Sequence, residues 1–270
     1  MCPPKFLEFL QSGAVLEQAL DRASGAVLPS TPTTRPVQPF SFAHVVDLTH
    51  ALSPASPVFP GLPSLVVAEP VLTHEANHVS INRYTVSDHC GTHFDAPYHI
   101  SPTGLKTDEV DPANLVVPAV VIDISHKTAH DHAALLTPDD LLAWERQHGR
   151  IPDGAAVLMN SGWGARIESA SAYVNLDAGG TAHFPGFSLE AANFLLQERK
   201  INGIGVDTLS LDHGPATNFP VHIAFLPTNR WGLECLVNLA QIPPSGAHLF
   251  VGVPKIKGSS GGPTRVLAIW

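Results

Sequence analysis

Residues 89–99 read HCGTHFDAPYH, and this run restricts the chain more than any other stretch. His89, Gly91, His93, Asp95, Pro97 and His99 share parity, so an extended backbone projects all of them from one face. An ideal helix still aligns His89 with His93 but swings Asp95 and His99 away. Pro97 also opposes a continuous helix, because it lacks an N–H and clashes with the preceding turn. A strand entering from NRYTVSD and leaving into a turn or loop brings the four polar groups together most easily. A helical turn at 91–95 is the other geometry open to this run. Two imidazoles and a carboxylate suit Zn²⁺, Mn²⁺ or Fe²⁺ and leave positions for water. The competing reading is a polar loop, or core histidines paired with their neighbours.

Composition favours the chemical reading. The chain has 15 histidines, as many as its lysines and arginines together, and a formal net charge of -9. No basic cluster of the kind that neutralises phosphates appears, so nucleic acid is excluded as a partner class. With 44% hydrophobic and 14% charged residues, the sequence can bury a substantial core. No apolar run reaches the length of a membrane span, and MCPPKFLEFLQSG lacks a basic region before its apolar residues. The three cysteines, Cys2, Cys90 and Cys235, make no disulfide framework. A cytoplasmic protein is expected.

Two regions are expected along the chain. Residues 1–42 comprise a short amphipathic helix around 6–20 and a Pro/Ser/Thr-rich arm. That arm is either a loose tail or a segment packing on a second subunit. Residues 43–270 form a single domain, in which short runs rich in β-branched residues predict strands. Among these runs are AHVVDLTHAL, VSINRYTVSDH, LVVPAVVIDIS, AAVLMNS and HLFVGVPKI. Two helices interrupt them. Thr137 caps TPDDLLAWERQHG with Gly149 as its stop; Ser188 caps SLEAANFLLQERKING, with basic residues in its last turn and Gly203 beyond. The fold class is therefore α/β, with strands at the centre and few helices.

The local motif needs partners from elsewhere, and residues 203–239 hold the candidates. Asp207 and Asp212 flank a strand end, while His222 and Glu234 sit in apolar sequence. A Glu between Leu233 and Cys235 is either an exposed carboxylate or a buried one that requires a partner.

The pattern H-x-G-T-H-x-D-x-P-x-H resembles the signature of the metal-dependent cyclase-like hydrolases, which include bacterial kynurenine formamidase and isatin hydrolase. The likeness extends to VDLTHALSPASPVFPG (46–61), FPGFSLEAANFLL (184–196), GVDTLSLD (205–212), the His222-to-Glu234 spacing and VGVPKIKGSSGGPTRVLAI (251–269). It implies a swivelling β/β/α domain built on a central mixed sheet. It also implies that His89, His93 and Asp95 are metal ligands and that His99 is the acid–base residue. His222 and Glu234 then complete a second metal position, or lie beside a single metal. One or two divalent ions per subunit, Mn²⁺ or Zn²⁺, follow from it, as does a homodimer or homotetramer. The implied reaction is hydrolysis of a small aromatic or cyclic amide, with Phe59 lining an aromatic pocket.

Extra material at 1–42 and 160–187 makes the chain more like the isatin-hydrolase branch than the compact formamidases. Kynurenine formamidase proper is the nearest alternative, and a non-catalytic metal-stabilised binding protein is a more distant one. Trp163, His183 and His213 are further candidates for the pocket wall, although a structural or solvent-exposed place is the readier reading for each. Cys90 and Cys235, as odd neighbours of proposed ligands, are expected to face away into the core. NSGWG (160–164) lacks the G-x-S-x-G elbow of a serine hydrolase.

Overall fold

The computed structural model describes residues 41–60 and 66–270. The N-terminal helix expected at 6–20, and all but the last two residues of the expected arm, lie outside the described residues. Thirteen strands follow in chain order: β1 (Val45–Asp47), β2 (Val66–Leu72), β3 (Ile81–Val86), β4 (His93–Asp95), β5 (Val116–Asp123), β6 (Leu135–Leu136), β7 (Ala156–Asn160), β8 (Gly186–Phe187), β9 (Gly203–Val206), β10 (Trp231–Glu234), β11 (His248–Gly252), β12 (Gly261–Pro263) and β13 (Arg265–Ile269). The helices are α1 (His74–Asn77), α2 (Ser125–Thr128), α3 (Pro138–His148), α4 (Ala170–Val174), α5 (Leu189–Glu198) and α6 (Pro220–Phe225).

Nine strands make one mixed sheet in the order β1-β13-β11-β5-β7-β9-β10-β4-β12. Its centre, β5-β7-β9-β10, is parallel. Both ends are antiparallel. The parallel strands are buried on both faces and read as near-continuous apolar runs, such as VVPAVVID and AVLMN. Alternation divides their side chains. Val120, Ile122, Val157, Met159, Ile204 and Val206 meet Leu141 and Trp144 of α3, and Ala191, Ala192 and Leu195 of α5. Val121, Ala156, Leu158 and Leu233 meet Leu48, Phe94, Val266 and Ala268 from the two ends of the sheet, which curls to enclose them.

Both long helices start where sequence chemistry places them. Thr137 and Asp140 make a reciprocal capping box, and Pro138 takes the first turn. Ser188 accepts from the Ala191 N–H at 3.0 Å. The end of α5 differs from expectation. No basic residue occupies its last turn, because Arg199 is already extended and reaches Glu145 of α3 in a fork of 2.7 and 2.6 Å. Gly203 does not stop the helix; it opens β9, where a Cβ would collide with the Trp231 indole.

The β2–β3 hairpin stands apart from the main sheet, with every residue of β3 exposed. No helix among the described residues is long and apolar enough to cross a membrane.

Candidate functional site

The short strand β4 is the keel of the site. It pairs with β10 on one side and β12 on the other, with Glu234 directly opposite His93 and Gly232 opposite Asp95. Directly paired residues share a face at about 5 Å between Cβ atoms, so register alone places Glu234 beside His93. Gly232 keeps the space next to Asp95 open, since a Cβ there would meet Leu211 at 2.8 Å and Asp95 Oδ2 at 3.2 Å. Helix α6 delivers His222 from the other side. All four groups are buried: His93 5%, Asp95 1%, His222 5% and Glu234 5% exposed.

Within 89–99 only 93–95 form a strand. Gly91 is left-handed at φ 56°, and residues 97–99 form a 3-10 turn. His89 and His99 therefore converge with Asp95 through turns rather than through strand parity. Their ring centroids lie 3.9 Å apart.

Each inward imidazole is held from behind, and the partners assign its tautomer. His93 Nδ1 donates to the Gly91 carbonyl at 2.9 Å. His222 Nδ1 donates to Asp212 Oδ2 at 2.6 Å. The Ser260 hydroxyl donates to Asp88 at 2.7 Å, so its oxygen accepts from His89 Nε2 at 3.0 Å. Each remaining ring nitrogen then faces a carboxylate. His89 Nδ1 is 2.7 Å from Asp95 Oδ1, and His93 Nε2 is 3.3 Å from Asp95 Oδ1 and 3.4 Å from Glu234 Oε2. His222 Nε2 is 3.1 Å from Glu234 Oε1. Asp95 Oδ2 is buried with no hydrogen-bond partner among the described residues, since His222 Nε2 stands 3.7 Å away.

Lone pairs opposing carboxylates demand positive charge between them, supplied by protons or by a cation. Without an ion, protons serve. Burial alone would push His93 down, but Asp95 and Glu234 hold it up at about 9. His222 likewise rises well above the usual range, because Asp212, Asp95 and Glu234 outweigh its burial. Burial would raise Asp95, yet the imidazoles around it hold its carboxyl well below the ordinary value. A divalent cation could take the place of these protons, and the donor set fits one. Among the described residues, two groups have ligand atoms within 4.8 Å of one another, His89–Asp95–His99 and His93–Asp95–Glu234, with Asp95 common to both.

The cavity above this floor has a volume of about 400 Å³, suited to a small ring compound. Pro57, Val58, Phe59, Ile100, Leu209 and Phe219 supply its apolar wall. His99 is exposed into it. Crowding by protein, followed by repulsion from His89, pushes His99 below the ordinary histidine range, and its exposed ring tempers that shift.

Comparison with known proteins decides the family. The Cyclase family model matches residues 46–213. The chain is 36% identical to the isatin hydrolase of Roseibium aggregatum over 242 residues, covering 83% of this chain and 91% of the relative.

This chain belongs to the cyclase family.

Within that family, the solved structure of isatin hydrolase A from Ralstonia solanacearum superposes with a TM-score of 0.79 at 40% identity, covering 84% of this chain and 91% of that one. A kynurenine formamidase of Salinibacter ruber is 27% identical over 225 residues, 83% of this chain and 96% of the relative.

In this cyclase-family chain Phe59 lines the cavity, whereas Trp163, His183 and His213 stand outside it, in line with the structural or surface reading preferred for them. Trp163 is buried, with its indole N–H on the Tyr173 carbonyl, and His183 pairs with Asp177 at the surface. Cys235 packs in the core with Trp163, Tyr173 and Phe184, as expected, and Cys90 is buried with its thiol donating to the Ser87 carbonyl at 3.1 Å. Both residues also border the cavity, where Gly91 and Cys235 itself adopt left-handed backbone. Burial pushes the Cys90 thiol up to about 11 and raises Cys235 further, so neither is a ready thiolate. Asp207 lies away from the cavity and accepts from the N–H groups of Ser161 and Trp163, fixing that loop. Asp88, Ser260 and Phe219 escape sequence reasoning altogether. No local spacing marks them, because each gains its place only through long-range packing.

Proposed function

We propose that this chain is a metal-dependent amidohydrolase that opens or cleaves a small cyclic or aryl amide, in the manner of isatin hydrolase. The observation that carries this reading is the set of three back-braced imidazoles and two carboxylates beneath a ring-sized apolar cavity. His89, His93 and Asp95 would hold a divalent ion, Mn²⁺ or Zn²⁺, with His222 and Glu234 at a second position or beside the first. Such an ion would polarise an amide carbonyl and make water a stronger acid there.

The chain's own residues do the rest. The apolar wall orients the substrate ring and thins the water around the carbonyl. Glu234 accepts the Leu211 N–H at 2.9 Å, so β10 and the loop before α6 hold one geometry during turnover. His99, neutral and facing the cavity, takes a proton on its ring nitrogen and passes it to the leaving nitrogen. Its centroid is 6.0 Å from that of His222, close enough to serve a substrate seated over the floor.

Kynurenine formamidase is the second reading. It is favoured by the two ligand groups sharing Asp95, which suit a pair of ions. Hydrolysis assays on isatin, N-formylkynurenine and simple lactams, with the protein loaded with Mn²⁺ or Zn²⁺, separate the two. Turnover of none of them by metal-loaded protein sinks both readings.

The exposed β2–β3 hairpin, with Ile81, Tyr84 and Val86 in water, supports a homodimer or homotetramer. Light scattering on the purified protein tests it. The free thiols Cys90 and Cys235 suit a reducing cytoplasm.

A further inference from the structure

Phe219 is the residue immediately before α6, and its backbone is left-handed at φ 47°, ψ 50°. A bulky side chain rarely adopts this conformation, and the following Pro220 restricts its backbone further. The strained turn has a definite result. It sets the Phe219 ring against the cavity, 5.8 Å from Phe59 with the planes 53° apart, and edge-on to His222 at 5.9 Å. The two phenylalanines are too close to admit a ligand ring between them. They form a continuous apolar corner, and a flat arene gains by packing on its faces in offset or edge-to-face fashion.

We propose that Phe219 is the specificity-determining residue of the cavity, selecting amides fused or bonded to an aromatic ring over aliphatic ones. The inference rests on the amidohydrolase reading above and deepens it. Phe59 arrives on an irregular segment, whereas Phe219 is three residues from His222 on the same helix start. The corner therefore stands in fixed relation to the floor, and a ring seated on it lies over Asp95, Glu234 and His222. An aliphatic ring finds the same space but no partner for an aromatic face.

The test compares Phe219→Leu and Phe219→Tyr with the unaltered protein, all loaded with Mn²⁺. KM and kcat are measured on isatin and on glutarimide, an aliphatic cyclic imide, and bound metal is measured in parallel. Leucine is expected to raise KM for isatin about tenfold with little change in kcat, so that the isatin-to-glutarimide preference falls about tenfold. Tyrosine should keep most of the preference, and metal content should stay level in all three. An unchanged preference in the leucine variant overturns the proposal. So does a loss of kcat and metal together on both substrates, which would make Phe219 a support for His222. If the unaltered protein hydrolyses no amide at all, the amidohydrolase reading falls first and takes this inference with it.

Discussion

Asp212 Oδ2 lies 2.6 Å from His222 Nδ1, while its Oδ1 accepts the Val221 N–H at 2.7 Å. One buried carboxylate thus starts helix α6 and fixes which nitrogen of His222 faces Glu234. Replacing it by asparagine keeps the shape but puts an amide group among donors. Orienting partners of this kind typically govern metal affinity by 10- to 100-fold. Asp212→Asn should therefore weaken Mn²⁺ or Zn²⁺ binding by about that factor while the circular dichroism spectrum is kept. Titration calorimetry reads the first and spectroscopy the second.

His99 belongs with His89 and Asp95 by distance, yet it is the member exposed to the cavity. The task proposed for it is proton transfer, whose removal costs roughly 10²- to 10⁴-fold in rate. His99→Ala should lose turnover by about that factor and keep its metal. Equal loss of metal, measured by elemental analysis after dialysis, would make His99 a ligand instead.

Gly261 sits on the edge strand β12, opposite Asp95. A Cβ there would lie 2.5 Å from the Phe94 carbonyl oxygen and 2.6 Å from His89 Cε1. Gly261→Ala must push β12 off β4 or turn the His89 ring. Metal affinity and turnover should both fall, with a smaller change in melting temperature than for a substitution in the central sheet.

The Arg199–Glu145 fork joins α5 to α3, with side-chain exposures of 7% and 12%. Hydrogen bonding from Arg199 holds the Glu145 carboxyl below its usual range. A depressed folded pKa means that the pair stabilises fully above the unfolded glutamate value, near 4.5. That contribution is lost as pH falls through the folded value. Arg199→Met leaves Glu145 unpaired and should cost about 3 kcal/mol at pH 7. Below pH 4 the penalty should shrink, because protonated glutamate no longer needs the partner. Urea unfolding at the two pH values gives the comparison, and an equal cost at both contradicts the electrostatic account.

The features legible in the sequence were those with a short period. Thr137 and Ser188 announce their helices, and β5, β7 and β9 announce themselves by β-branched runs. His93 and Asp95 belong together by strand alternation. Other features required the third dimension. Three-residue strands such as β4 and β12 are too short for any pattern, and their pairing is what sets Glu234 against His93. The left-handed turns at Gly91 and Cys235 bring both cysteine residues to the edge of the cavity, which strand alternation does not foretell. Asp212 was visible as a residue near a strand end, but its role depends on α6 folding back over it. Ser260 and Phe219 carried no signal, since serine beside glycine and phenylalanine beside proline occur in countless loops.

The brace behind His89 has a temporal meaning. Ser260 is 171 residues away from the ring it steadies, and the Thr92 hydroxyl reaches the Cys235 carbonyl across 143. During synthesis, His93 and Asp95 leave the ribosome long before Glu234 and Ser260 exist. Contacts of such separation close late, once their loop entropy can be repaid. The growing polypeptide therefore carries only the first three of these groups, His89, His93 and Asp95. His222 and Glu234 join them only with α6 and β10, so the proposed metal centre is complete only in a chain that has already committed to its fold.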